Sequence, residues 1–168
     1  GSAVSVEGSI AADSSVLFNN DDNYISVLGG EYMDISTTNL STISNEITVS
    51  FWSYGDEDVF PVNTSILEGT DANNNRTINI HHPWSNGSIY WDCGGNGSGG
   101  YDRINLAASV TEYEGQWNHW AFTKNAVTGS MKIYLNGTLW HSGTGNTNPI
   151  DIQTLVLGAN KNEANNCA

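Results

Sequence analysis

Apolar and polar residues alternate with a period of two along much of this chain, a pattern typical of β-strands. In one stretch Trp120 and Phe122 point one way, while Trp117, His119 and Ala121 point the other. No segment of about 11–18 residues combines a 3.6-residue period with helix-forming residues. The pattern therefore predicts an all-β chain with almost no helix.

A tight hairpin is predicted at Asn136-Gly137, the dipeptide best suited to a two-residue turn with positive φ at both central positions. The register that this turn imposes pairs Ile133 with Trp140 on one face of the hairpin. Both faces carry apolar residues. We therefore expect a sheet with one side in a core and the other side partly covered or used for contact.

A second long strand alternates in the same way. Ile47, Val49 and Phe51 form its first set, which predicts a core face. Its second set is polar with two aromatic residues, Trp52 and Tyr54, and predicts a sheet face where a ligand can bind. The acidic loop that follows is a solvated turn in the simplest interpretation.

Turn-forming residues divide the chain into many short strands. They are predicted at residues 3–7, 15–19, 23–28, 31–36, 46–54, 64–69, 76–82, 88–93, 102–108, 117–124, 130–135, 138–142 and 154–158. This spacing is typical of a two-sheet antiparallel β-sandwich. No linker or fixed-period repeat divides the 168 residues, so a single domain over residues 1–168 is expected.

Several segments resemble one fold family in their order. A Gln-Trp-x-His-Trp strand is followed by a Thr-Gly turn, Lys-Ile-Tyr-Leu-Asn-Gly and a return strand, and residues 16–27, 46–54 and 155–158 are similar to further strands. The chain resembles the laminin G-like, concanavalin A-like jelly-roll family over residues 16–160. The resemblance implies the fold, but this fold hosts lectins, adhesins, glucanases and inert spacers.

The resemblance also draws attention to the end of the chain. In the family, the late Leu-Gly strand is followed by a further strand, whereas this sequence ends shortly afterwards at Ala168. Two explanations stay open: the chain is a fragment of a longer protein, or a neighbouring molecule supplies the last strand.

The chain is strongly acidic, with 5 Lys and Arg against 18 Asp and Glu and a formal net charge of -13. This balance argues against nucleic acid or an anionic membrane as a partner. The sequence contains no run of about 18 apolar residues, so no membrane insertion is predicted. High solubility in salty surroundings explains the acidity, and carboxylates gathered around a cation are the alternative.

One Asn- and Asp-rich segment offers oxygen ligands of the kind that hard cations require. It contains Asp21 and Asp22, but it lacks the spacing of an EF-hand loop. An ordinary turn explains it equally well. Relatives with this fold often carry calcium near strand ends, so the resemblance implies a possible structural Ca²⁺ site here.

Several features favour an extracellular, secreted or cell-surface protein. The two cysteines, Cys93 and Cys167, lack the spacing of a zinc site, and we expect one structural disulfide. Such a disulfide would stabilise the fold by roughly 3–5 kcal/mol through loop closure. Glycosylation triplets begin at Asn39, Asn63, Asn75, Asn86, Asn96 and Asn136.

A segment over residues 78–104 combines aromatic rings with polar groups, as sugar sites require. An aromatic face covers the apolar face of a pyranose, while polar side chains bind its hydroxyls. With the two aromatics of residues 46–54, the candidate ligand residues are Trp52, Tyr54, His81, Trp84, Asp92, Tyr101 and Arg103. The alternative is that the aromatics belong to the core and that Asp92 and Arg103 form a structural ion pair.

Catalytic patterns are absent from the sequence. The Glu-x-Asp-x-x-Glu pattern of retaining glucanases with this fold does not occur, nor does a Gly-x-Ser-x-Gly motif. We therefore expect a non-catalytic binding or adhesion domain whose ligands are carbohydrates, with glycans or glycoproteins as partners. The alternative is a glycosylated structural module of an extracellular filament or fibre, assembled through protein contacts with other copies.

Overall fold

The computed structural model describes residues 17–19, 24–26, 32–38, 40–63, 65–96 and 100–158. Within these residues the chain forms strands β1 (Leu17–Asn19), β2 (Tyr24–Ser26), β3 (Met33–Ile35), β4 (Glu46–Tyr54), β5 (Leu67–Thr70), β6 (Arg76–His81), β7 (Ser88–Asn96), β8 (Gly100–Ala107), β9 (Trp117–Asn125), β10 (Ser130–Leu135), β11 (Thr138–Gly143) and β12 (Thr154–Leu157). One short helix, α1 (Val110–Tyr113), precedes β9.

Two antiparallel sheets pack face to face. The four-stranded sheet has the order β11-β10-β9-β4, and the six-stranded sheet has the order β3-β12-β5-β6-β7-β8, while β1 and β2 pair as a separate hairpin. This architecture confirms the predicted all-β jelly-roll sandwich. The helix in the described part of the chain is too short and polar to cross a membrane.

The core lies between the inner faces of the two sheets. Trp91 of β7 and Phe122 of β9 come from opposite sheets, and their ring centroids lie 5.7 Å apart. The Trp91 Nε1–H donates a hydrogen bond of 3.1 Å to the backbone carbonyl of Thr123, so its one polar atom is satisfied. Each such side chain contributes about 1.5–3 kcal/mol on burial.

The Asn136-Gly137 hairpin is confirmed, since both residues have positive φ, 49° and 79°. The predicted register beyond the turn is wrong by one residue. Ile133 lies opposite His141, not Trp140, because the ladder shifts between Ile133 and Tyr134. The extra residue is Trp140, whose indole packs edge-on against Trp120 with ring centroids 5.3 Å apart. The bulge therefore coincides with the residue whose ring packs against the core.

A buried ion pair joins the two sheets at one end of the sandwich. The Lys124 ammonium on β9 contacts the Asp102 carboxylate on β8, and both side chains are almost completely buried. Asn148 donates two further hydrogen bonds of 2.8 Å to Asp102. A side chain on Gly94, which has φ +88°, would lie 2.9 Å from the Lys124 Nζ. A Cβ there would also lie 2.5 Å from the backbone carbonyl oxygen of Asn148, so this close approach and the positive φ require glycine.

His82 is a buried titratable group of the core. Its ring packs edge-on against Phe51 and Trp120, at 5.7 and 4.8 Å between centroids. Burial lowers the pKa of His82 to about 4, and a backbone hydrogen bond opposes this shift only in part. The folded protein therefore holds His82 neutral at pH values where an unfolded chain binds a proton.

This difference predicts a pH dependence of stability. Between about pH 6.5 and 4 the unfolded chain binds the proton and the folded chain does not, so His82 makes the free energy of unfolding fall as the pH falls. The loss attributable to His82 reaches roughly 3 kcal/mol at pH 4. Urea unfolding at several pH values, compared with His82→Phe, measures it. We expect a shallower pH dependence in the variant, and parallel curves would contradict the prediction.

Candidate functional site

The residues predicted to bind a ligand lie on opposite sides of the sandwich. Trp52 and Tyr54 lie on the outer face of the four-stranded sheet, since their strand neighbours Val49 and Phe51 face the core. The remaining five cluster around β6, β7 and β8 of the six-stranded sheet. The sequence-predicted set therefore corresponds to two separate surfaces: His81, Trp84, Asp92, Tyr101 and Arg103 belong to the second.

The first surface, here called the aromatic face, consists of Trp52, Tyr54, Trp117 and His119. The register of β4 and β9 places Tyr54 opposite Trp117 and Trp52 opposite His119. The ring centroids of these pairs lie 5.8 and 5.2 Å apart. Trp52 is 64% exposed, Tyr54 53% and Trp117 49%. A soluble domain rarely leaves so many large rings together at its surface without a binding role.

The pattern of β9 explains why one strand supplies both core and surface aromatics. Trp120 and Phe122 are fully buried, whereas Trp117, at the start of the same strand, lies on the outer face. Trp117 is therefore accessible to a ligand, whereas Trp120 is part of the core. The odd spacing between the two tryptophans is the signal that separates them.

The aromatic face continues into a polar depression on the same sheet. Small side chains, Ser50 and Ala121, pair directly beyond the aromatic rings. Next comes an open depression of about 460 Å³, lined among others by Thr48, Thr123 and Lys132. Along the strands, the side chains of the outer face thus change from aromatic rings to small side chains and then to side chains that carry hydroxyl groups.

The second surface is dominated by an ion pair. The Arg103 Nε and Nη2 donate hydrogen bonds of 2.5 and 2.6 Å to the two oxygens of Asp92. Asp92 is fully buried, and its hydrogen bonds raise the pKa of Arg103. The guanidinium also lies 5.0 Å from the Tyr90 ring centroid and 5.8 Å from that of Tyr101. Much of the capacity of Arg103 for binding is therefore used within the protein.

His81 and Trp84 adjoin this ion pair. Their ring centroids lie 4.3 Å apart, and the His81 ring also meets Tyr90 edge-on at 5.7 Å. His81 is buried and lies 3.4 Å from the Ser65 hydroxyl. Trp84 is less buried than Trp91. This surface contains rings, but they pack mainly against each other.

The predicted metal, disulfide and modification sites lie partly outside the described residues. Asp21, Asp22, Asn39 and Cys167 are outside them, so the Ca²⁺ site and the disulfide stay predictions. Cys93 is buried in the core, and burial raises the pKa of its thiol to about 12. Among the described residues no group of three acidic, histidine or cysteine side chains lies close enough to hold a metal.

The glycosylation triplets differ in how accessible their amides are. The Asn136 side chain accepts a hydrogen bond from the His119 backbone and donates one to Asn118, both 2.9 Å long. Asn75 donates to Asp71, and Asn86 donates to the Tyr90 hydroxyl at 2.8 Å. A glycan on these amides would compete with those bonds. Asn63 is exposed, and the side chain of Asn96 lies outside the described residues.

Comparison with known proteins defines the class of this domain. The model of the concanavalin A-like lectin/glucanases superfamily matches residues 28–168, and the chain belongs to this family. No curated protein sequence matches the chain. The family includes both binding proteins and enzymes by its description, so membership leaves the activity open.

Solved structures share the fold. The botulinum neurotoxin serotype D binding domain has a TM-score of 0.67 and 21% identity over 92% of this chain and 38% of that chain. Domain 4 of an extracellular GH43 arabinanase from Geobacillus stearothermophilus, in complex with arabinotriose, has a TM-score of 0.54 and 23% identity over 79% and 60%. The binding domain of botulinum neurotoxin DC in complex with SialylT has a TM-score of 0.59 and 17% identity over 91% and 37%.

This chain therefore spans little more than a third of the toxin chains and 60% of the arabinanase chain. At these identities the likeness concerns the fold alone.

The geometry predicts that Arg103 contributes to stability. Arg103→Ala would leave the buried Asp92 carboxylate without its ion-pair partner, and we expect the free energy of unfolding to fall by about 1–3 kcal/mol. Denaturant unfolding at pH 7 measures the change. Asn105→Ala, at an exposed position on the same strand, is the control and should stay within about 0.5 kcal/mol. Equal stability of both variants would contradict a structural role.

Proposed function

We propose that this chain is a non-catalytic carbohydrate-binding domain whose ligand stacks on the aromatic face. The observation that carries the proposal is the exposure of Trp52, Tyr54 and Trp117 side by side on adjacent strands. A sugar ring has an apolar face of C–H groups and a rim of hydroxyls. A flat aromatic ring matches the first, and nearby polar side chains match the second.

The strands hold the aromatic face in place before a ligand arrives. All nine residues of β4 pair with β9 in an uninterrupted register, and the inner side chain Phe51 stacks on Phe122 at 5.7 Å. Rings fixed by a sheet and its core lose little conformational freedom on binding, which favours affinity. This rigidity is an advantage over a site built on loops.

The composition of the same sheet supports binding without hydrolysis. Glu46 is the one carboxylate in the four described strands β4, β9, β10 and β11. Glycoside hydrolysis generally requires a pair of carboxyl groups flanking the scissile bond. A glycan lying on the aromatic face would therefore meet no such pair from this sheet.

The fold relatives support the proposal as precedents. The arabinanase domain is in complex with arabinotriose, and one toxin binding domain is in complex with SialylT. Another toxin binding domain is in complex with rat synaptotagmin II, a protein. We extend the proposal to an extracellular location, which the acidic charge and the glycosylation triplets favour. Glycans or glycoproteins are then the natural partners.

A structural role in a filament is the second candidate. It is favoured by β4, which forms one edge of the four-stranded sheet as described and pairs on one side with β9. Its inner residues Ile47, Val49 and Phe51 are half-buried, whereas their neighbours on β9 are fully buried. An edge strand that has no second partner among the described residues can accept a strand from another copy.

A pair of matched variants distinguishes the two candidate binding surfaces and the two candidate functions. Trp52→Ala removes the most exposed ring, and we expect roughly tenfold weaker glycan binding, since an aromatic contact contributes about 1.5–3 kcal/mol and 1.4 kcal/mol is a factor of ten. Trp84→Ala, the tryptophan of the opposite sheet, should leave binding unchanged. Both variants are compared with the wild type on a broad glycan array, after denaturant unfolding shows that they fold.

Loss of binding in Trp84→Ala alone would move the site to the opposite sheet. No binding of any glycan by the wild-type protein would overturn the proposal. Self-association that persists in Trp52→Ala, measured by sedimentation velocity, would then favour the filament module.

A further inference from the structure

We infer that the site takes an extended, neutral oligosaccharide segment lying along β4 and β9, in preference to a single terminal sugar. This inference rests on the proposed function and specifies its ligand class. It follows from the order in which outward-facing side chains succeed each other along the four-stranded sheet.

The outer face is built from rows of side chains that cross the strands. Successive outward positions on a strand lie two residues apart, or about 6.6 Å. Four consecutive rows are fixed by the register: Tyr54 with Trp117, Trp52 with His119, Ser50 with Ala121 and Tyr134, and Thr48 with Thr123 and Lys132.

The rows span more than one sugar ring. From Tyr54 to Thr48 the strand advances six residues, which corresponds to about 20 Å. The third row has small side chains, Ser50 and Ala121, on its floor. Tyr134 adjoins that floor on β10 and also lines the depression beyond it. A linear chain can therefore pass from the aromatic rings across the floor and into the depression without meeting a bulky side chain on β4 or β9.

The two ends of this path offer different interactions. The aromatic end provides flat apolar rings for stacking. The depression provides the hydroxyls of Thr48 and Thr123 and the ammonium of Lys132, which suit the hydroxyl groups of a sugar. A ligand that uses both ends needs several linked units, because one ring cannot reach from the first row to the fourth.

The charges along the path favour a neutral ligand. Glu46 and Lys132 both line the depression, so a carboxylate there offsets the Lys132 ammonium. Lys124 also lines it, but its ammonium is paired with Asp102. The whole chain carries a formal net charge of -13, which repels polyanions at a distance. Uncharged linear glycans fit these conditions better than uronate or sulfated polymers.

A length series tests the inference. Affinity electrophoresis through gels containing cellulose ethers, xylan, arabinan, pectate or alginate first identifies the polymers that retard the wild-type protein. Isothermal titration with oligosaccharides of two to six units from the retarding neutral polymer then measures affinity against length. We expect affinity to rise about tenfold or more from two to five units and then to level off. Lys132→Ala should reduce the gain in affinity with oligosaccharide length.

The outcomes separate this inference from the proposed function. Retardation by pectate or alginate alone, affinity independent of length, or array hits confined to terminal sugars would overturn the extended neutral ligand while keeping carbohydrate binding. An unchanged length dependence in Lys132→Ala would also contradict the path into the depression. Failure of every polymer and of the glycan array would overturn the proposed function itself.

Discussion

The pairing of β4 with β9 is the constraint on which both the fold and the candidate site depend. Nine consecutive residue pairs join these strands without a bulge. Their period of two sends one set of side chains into the core, where Phe51, Trp120 and Phe122 pack. The same period of two directs the other set of side chains to the outer face. A single slip of register would bury the aromatic face and expose the core, so packing of the inner side fixes the outer side.

Buried ion pairs link strands of the sandwich in addition to its apolar core. The Lys124 and Asp102 pair connects the sheets near the loop that carries Asn148, and Asp92 with Arg103 spans two strands of the larger sheet. Removing one member of such a pair leaves a buried charge without compensation, which is strongly destabilising. This consideration weighs against Arg103 as a group held ready for a ligand, and it leaves the exposed rings of the opposite sheet as the better candidates.

Local patterns in the sequence predict most of the strands and the Asn136-Gly137 hairpin. The bounds of β4 and β10 agree with the predicted ones because strong alternation and turn residues define both ends. The bulge at Trp140 could not be predicted, since it accompanies a contact with Trp120, which lies two strands away in the same sheet. Likewise, a list of aromatic and polar residues does not reveal that Trp52 and Trp84 lie on opposite sheets. That division depends on strand order, which is long-range.

The most direct test of a glycan site on the aromatic face uses the six tryptophans as reporters. Two-dimensional ¹H–¹⁵N NMR spectra resolve one indole N–H signal for each tryptophan, assigned by single substitutions. Titration with a neutral oligosaccharide that the protein binds should shift the signals of Trp52 and Trp117 and leave those of Trp84, Trp91 and Trp120 in place. Shifts confined to Trp84, with Trp52 and Trp117 unchanged, would contradict the account.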